Sequence, residues 1–197
     1  MICFMYSAYF NGTSRGNPGP VGIGCVLFDE IGGVLWETSK PAGIKTNNEV
    51  EYLALIELLT HLAETKTYNI PVRGDSQLII NQVNGIWQVK EPHLWTLCVQ
   101  ACELVYQSQI ANLKWVPREL NRHADRLSEE ALSEQIKHSL KFFDPAKLER
   151  LSNMIYVAHG MKDYTVDLAN RVCTCPAFQK LKMCKHLGAA ESLSVTV

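Results

Sequence analysis

Two groups of side chains in this chain have the make-up of metal sites. One is dispersed: Glu51, Asp75 and Asp125 are carboxylates spaced far enough apart to arrive from separate elements. Carboxylates converging on two Mg2+ ions, with Mn2+ as a possible substitute, are what metal-assisted hydrolysis of a phosphodiester requires. One ion activates water and the other stabilises the leaving oxygen. The other group is compact. Cys173-Thr174-Cys175 is followed, after eight residues, by Cys184-Lys185-His186. Three thiolates and an imidazole form a tetrahedral Zn2+ set, with two ligands on a turn and two at a helix start.

Each carboxylate also has an ordinary reading when taken singly. Glu51 falls in the first turns of a helical pattern and shares its face with Leu55, Leu58 and Leu62. A carboxylate on such a stripe is expensive unless paired or metal-bound, so an internal salt bridge and a metal site are both open. Glu49 and Glu57 fall on other faces and read as solvated. Asp75 ends a strand and opens a helix, which is the place of an N-cap. Asp125 sits in the first turn of a helix, where the dipole favours any acid.

The elements that must position these groups follow from periodicity and turn signals. Strands are expected over residues 3–10, 21–28, 34–40, 69–74 and 112–116, with Pro71 near the start of its strand or on an edge. Helices are expected over 47–64, capped by Thr46 or Asn47, and over 76–83, 94–107 and 121–136. Three strands, a helix, then alternating strand and helix give an α/β fold with a mixed five-stranded sheet. Beyond it, residues 138–150 read as a charged helical connector, 154–168 as two short strands and 185–193 as a short helix.

The order of the motifs carries more than any one of them. Ala8-Tyr9-Phe10-Asn11-Gly12 leads into a Gly/Pro-rich hairpin that ends at Pro20. Thr46-Asn47-Asn48-Glu49-Val50-Glu51, Gly74-Asp75-Ser76-Gln77 and Trp115-Val116-Pro117 through Asn121-Arg122-His123-Ala124-Asp125 follow in turn. This series resembles the ribonuclease H family over about residues 3–135. The resemblance implies the ribonuclease H-like sheet with flanking helices, and an endoribonuclease that cuts the RNA strand of RNA/DNA hybrids. It places the metal ligands on position 11, Glu51, Asp75 and Asp125. It implies phosphate contacts from Thr46 and Asn48 to the DNA strand, and minor-groove contacts from Asn47 and Gln77, with Gln77 reaching a 2′-hydroxyl. Trp87 stands where some members place an aromatic in the DNA channel; a core tryptophan is the alternative. His123 matches no family role and reads as a surface residue.

Position 11 departs from that pattern. It is asparagine where the family has a metal-binding aspartate. The neutral amide removes one negative charge from a two-dication site and is expected to suppress cleavage while leaving hybrid binding intact. Retention of Glu51, Asp75 and Asp125 favours a deliberate Asp→Asn exchange. A naturally inactive hybrid-binding protein is the alternative.

The tail has its own resemblance. Tyr164-Thr165-Val166-Asp167-Leu168, the Cys173/Cys175 pair, Pro176-Ala177-Phe178 and Cys184-Lys185-His186 are similar to a SWIM-type zinc finger over about residues 154–193. His159 is not expected to be a ligand. Zinc would substitute for a core too small to hold this segment. Arg171, Lys180, Lys182 and Lys185 either contact a phosphate backbone or are solvated, and the module's partner is nucleic acid or protein. The expected divisions are 1–136, a connector 137–153, and the zinc-bound β/α module 154–197.

Composition limits the alternatives. The net charge of −1 argues against a general nucleic-acid coat, although residues 151–197 carry 5 Lys/Arg against 3 Asp/Glu. No segment reaches the roughly 20 apolar residues that cross a bilayer. The apolar start lacks a leader pattern and reads as a strand. Seven cysteines, three of them crowded at 173–184, point to a reducing compartment, so a cytoplasmic location is expected. Oligomeric state is not legible.

Overall fold

The computed structural model describes residues 6–140, 143–181 and 184–194. The first part of the strand expected from residue 3, with Cys3, lies outside the described residues, as does Lys182. The chain divides into two compact units, Met1–Ser133 and Glu134–Val197.

Among the described residues, the first unit is built on a sheet of five strands: β1 (Ser7–Ser14), β2 (Gly19–Phe28), β3 (Val34–Lys45), β4 (Pro71–Gly74) and β5 (Asn112–Trp115). Their order is β3-β2-β1-β4-β5. The first three strands pair antiparallel, and β1, β4 and β5 pair parallel. Pro71 opens β4, where a missing N–H is tolerated even in a central strand. The third strand runs past its expected end at residue 40 to Lys45. It passes through Pro41, and it can do so because β3 is an edge strand.

Four helices connect and cover the sheet: α1 (Asn47–Glu64), α2 (Gln77–Val83), α3 (Pro92–Ser108) and α4 (Arg122–Leu140). Thr46 caps α1, accepting from the Glu49 N–H, while the Glu49 carboxylate accepts from the Thr46 N–H. The even-numbered residues of β1 turn toward α1, so Ala8 and Phe10 join Leu55, Leu58, Leu59 and Leu62 in one core. Each such leucine contributes about 1.5–3 kcal/mol on burial. Gly12 lets the layers touch: a Cβ there would lie 2.6 Å from the Val50 and Glu51 backbone. The odd-numbered residues of β1 face α4. That helix lies so close to β2 that a Cβ on Gly24 would stand 2.1 Å from the Ala124 carbonyl.

The second unit corrects the expected connector. The chain leaves α4 at Leu140, and Asp144 accepts from the Ala146 N–H to start a 3-10 turn at Pro145–Lys147. Residues Leu148–Arg150 then form β6 instead of a helix. Proline at the turn interrupts any helical run, and β6 finds its hydrogen bonds on β7 (Ile155–Ala158). With β8 (Tyr164–Asp167) and β9 (Val172–Cys173) these make a sheet in the order β6-β7-β8-β9. The expected connector is thus helical only through Leu140, and its Leu148–Arg150 part belongs to the second sheet. Two short helices, α5 (Pro176–Leu181) and α6 (Lys185–Ser194), complete the unit. Its core holds Tyr156, Val166, Cys173, Cys175, Phe178, Cys184 and Leu187.

Candidate functional site

The parallel pairing of β1 and β4 creates the first site. Tyr9 lies opposite Arg73, so two residues further along each chain Asn11, within β1, comes beside Asp75, just past the carboxyl end of β4. Trp115 holds the turn after β4 by donating its Nε1 to the Asp75 carbonyl oxygen at 3.1 Å. From one face α1 delivers Glu51, which accepts from the Gly12 N–H at 3.2 Å. From the other, α4 delivers Asp125, whose Oδ1 accepts from Asn11 Nδ2 at 3.2 Å. The four positions expected from the motifs therefore gather in one place.

Two further residues stand among them that sequence reasoning did not single out. Pro117 ends β5, and a 3-10 turn at Arg118–Leu120 folds the chain back. This brings the Arg118 guanidinium to 2.7 Å from Asp125 Oδ1. Asn121, 1% exposed, donates Nδ2 to Asp75 Oδ1 at 2.8 Å and to the Phe10 carbonyl at 2.9 Å. Its own Oδ1 is buried with no partner among the described residues. The signal for both lay in the run Pro117–Asn121, where a basic and an amide residue precede the last helix.

The ordinary readings of Asp75 and Glu51 do not hold here, whereas Asp125 does lie in the first turn of α4. Asp75 is not an N-cap; Ser76 occupies that place without a side-chain cap bond. Glu51 has no salt-bridge partner among the described residues, and burial pushes its carboxyl up to about 8. The charge of Asp75 adds to that rise, while the Gly12 N–H and Arg118 oppose it. Asp125 holds the Arg118 guanidinium more firmly charged than usual. A buried carboxylate with no ion-pair partner and an unpartnered amide oxygen, among the described residues, fit a cation centre. The neutral Asn11 amide fits it less well than a carboxylate would. It donates both to Asp125 and to Ser128 Oγ, the latter at 2.8 Å.

The candidate nucleic-acid residues flank this centre. Asn48 and Trp87 line one shallow groove with Leu78 and Ile86, and Gln77 is exposed at the start of α2. Trp87 is exposed and not a core residue. Thr46 is partly committed: its hydroxyl donates to Glu49 Oε2 at 2.8 Å within the cap. Asn47 accepts from Ser14 Oγ at 3.2 Å, and its N–H donates to Asn17 Oδ1 at 3.0 Å. His123 lies on the surface against Glu37.

In the second unit, Cys173, Cys175, Cys184 and His186 are all buried, with ligand atoms within 4.8 Å of one another. A tetrahedral site with Zn–S bonds of about 2.3 Å calls for a similar clustering. Cys175 and Cys184 immediately precede α5 and α6. Their sulfurs accept from the Phe178 and Leu187 N–H groups at 3.4 and 3.3 Å. Such donors favour thiolates and so oppose the burial that raises the Cys184 thiol. Phe143 and Tyr164 pack on the His186 ring. His159 is elsewhere, between Glu149 and Asp163. Of the basic residues named above, Arg171 pairs with Glu191, and Lys185 lies over the Phe143 ring. No described helix is long and apolar enough to cross a membrane.

Known proteins match the two units separately. A family model described as reverse transcriptase-like matches residues 9–131, and the SWIM zinc finger model matches residues 164–193. A ribonuclease HI of Halobacterium salinarum is 42% identical over 127 residues, which are 64% of this chain and 64% of the relative. A bifunctional protein of Mycobacterium tuberculosis is 40% identical over 139 residues, 70% of this chain and 38% of the relative. The chain thus spans less than two thirds of either relative. Among solved structures, LC11-RNase H1, isolated from compost, in complex with an RNA/DNA hybrid is 37% identical with a TM-score of 0.62. That match covers 66% of this chain and 98% of the other. Through residues 9–131 this chain belongs to the ribonuclease H family, and a SWIM zinc finger follows in the same chain.

Proposed function

We propose that the first unit binds RNA/DNA hybrids and is built to hydrolyse their RNA strand, with Asn11 depressing the chemistry. The observation that carries this reading is the convergence of Asn11, Glu51, Asp75 and Asp125 from β1, α1, β4 and α4. A relative 37% identical is described in complex with such a hybrid. Glu51, Asp75 and Asp125 would hold Mg2+, or Mn2+ in its place, and two bound ions would activate water and stabilise the leaving oxygen. Asn121 fixes the Asp75 carboxylate and Arg118 fixes that of Asp125. Thr46, Asn47, Asn48, Gln77 and Trp87 would bind the hybrid, distinguishing its strands by 2′-hydroxyls and shape. Cys173, Cys175, Cys184 and His186 would hold a structural Zn2+.

The test is Asn11→Asp, followed by Mg2+-dependent cleavage of a labelled hybrid, with duplex RNA and duplex DNA as controls. Cleavage of the hybrid's RNA strand alone, at a rate well above that of the Asn11 protein, is the expected result. A second reading is favoured by one observation: the Asn11 amide is integrated, donating to both Asp125 and Ser128. On that reading the chain binds hybrids without cutting them. Intact hybrid binding with no cleavage by either protein would establish it and exclude the first.

A further inference from the structure

Asn11 puts a neutral group against Asp125, and the affinity of an oxygen site for a divalent ion depends on its charge count. The structure offers a replacement on the same face. Asn11 and Thr13 are two residues apart on β1 and both turn toward α4. Asp125 and Glu129 are four apart on α4 and share the face that meets them. Two contacts result: Asn11 reaches Asp125, and Thr13 donates its hydroxyl to Glu129 Oε1 at 3.0 Å. Glu129 is exposed and forms no ion pair among the described residues. Its partner Thr13 is two residues from Asn11 on the same face of β1, so Glu129 borders the centre one helical turn beyond Asp125. Glu130, the next residue, is engaged elsewhere by Arg126 at 2.7 Å.

Two independent features mark this centre as short of a cation. Among the described residues, Asn121 Oδ1 is buried without a hydrogen-bond partner, and Glu51 is buried without an ion-pair partner. Neither involves Glu129, and an ion among Glu51, Asp75 and Asp125 would supply the ion-pair partner that Glu51 lacks.

We infer that Glu129 supplies this centre with the negative charge that Asn11 lacks, so that the Asn11 chain still binds a divalent cation. The inference rests on the metal-site reading given above. Glutamate four residues beyond Asp125 is long and exposed enough to turn from Thr13 toward an ion without moving the helix. The charge is thus moved from β1 to α4, one helical turn beyond Asp125.

A cycle of Mn2+ affinities tests this, measured by calorimetry on the full chain with the Cys/His site kept zinc-loaded. Glu129→Gln retains an acceptor for Thr13 and removes only the charge. In the Asn11 protein it should weaken Mn2+ binding by about tenfold or more. With Asn11→Asp in place, the same substitution should change affinity by less than about threefold, since the missing carboxylate has returned. Glu130→Gln should leave both affinities unchanged. An equal loss in both backgrounds, or no loss in the Asn11 protein, overturns the role of Glu129 and leaves the metal-site reading standing. No Mn2+ binding in either background overturns both. The readout is ion binding, so it is independent of whether either protein cleaves a hybrid.

Discussion

The Asn11 amide nitrogen donates to Asp125 Oδ1 at 3.2 Å, so a neutral donor sits where two carboxylates would otherwise face each other. The same nitrogen donates to Ser128 Oγ, and Ser128 in turn donates to the Asp125 carbonyl at 2.8 Å. Asn11 therefore ties β1 to α4 in a way that needs no ion.

Asn11→Asp reverses that situation. The aspartate cannot donate to Asp125 and places like charges together. In a chelating buffer the variant should be less stable than its parent by about 1–3 kcal/mol, the range for a lost hydrogen bond to a charged group. Added Mg2+ should raise its melting temperature more than the parent's. Thermal denaturation with and without Mg2+ measures both, and equal melting temperatures in chelator would show that the amide contributes nothing.

Glu51 gives a pH dependence with a defined sign. Its folded-state carboxyl titrates at about 8 against an ordinary value of 4.5, because burial disfavours the charge. The folded state therefore holds a proton that the unfolded state has released between those values. Its contribution to stability is complete below pH 4.5 and is lost as pH rises through about 8. In chelator, Glu51→Gln should flatten the fall in stability across this window and exceed the parent's stability at its alkaline end. Denaturant midpoints at a series of pH values test this. A slope unchanged by the substitution would place the titration on another group.

Much of this site was legible because it depends on local period. Glu51 was placed on the buried stripe by helical spacing, and the Cys/His set by its two one-residue gaps. Asp75 and Asp125 became informative only through the order of the motifs, since each alone fits a helix start. Arg118 and Asn121 were marked only by their place in the run before the last helix. Their role depends on a 3-10 turn that folds back over β1, and nothing in their own types dictates that turn. The strand β6 was missed for a different reason: Leu148–Arg150 is short and charged, and it is a strand only because β7 lies beside it.

The second unit should depend on zinc. Its small core includes three of the four candidate ligands, so removing the metal leaves buried thiols and an imidazole with nothing to organise them. Zinc binding to such sets is worth about 10–16 kcal/mol in small peptides, far more than this core supplies alone. The full chain should bind one zinc per Cys/His cluster, and Cys175→Ser should lower that content sharply. After chelation, limited trypsin digestion read by mass spectrometry should cut within residues 148–194 before residues 9–131. Simultaneous cleavage of both stretches, or resistance of both, would sink the idea of a separately zinc-dependent unit.

Trp87 separates binding from folding. The residue is 44% exposed and lines a groove with Asn48, so truncation removes a contact surface without opening the core. Stacking of a nucleic-acid group on an aromatic is worth about 1–3 kcal/mol by alanine substitution. Trp87→Ala should therefore weaken hybrid binding by about tenfold or more, with little change in melting temperature. Because stacking releases no counterions, the salt dependence of binding should keep its slope in the variant. Fluorescence anisotropy with a labelled hybrid over a range of salt concentrations reads both quantities. A large fall in melting temperature would return Trp87 to a structural role. Unchanged affinity would move the hybrid's path away from this groove.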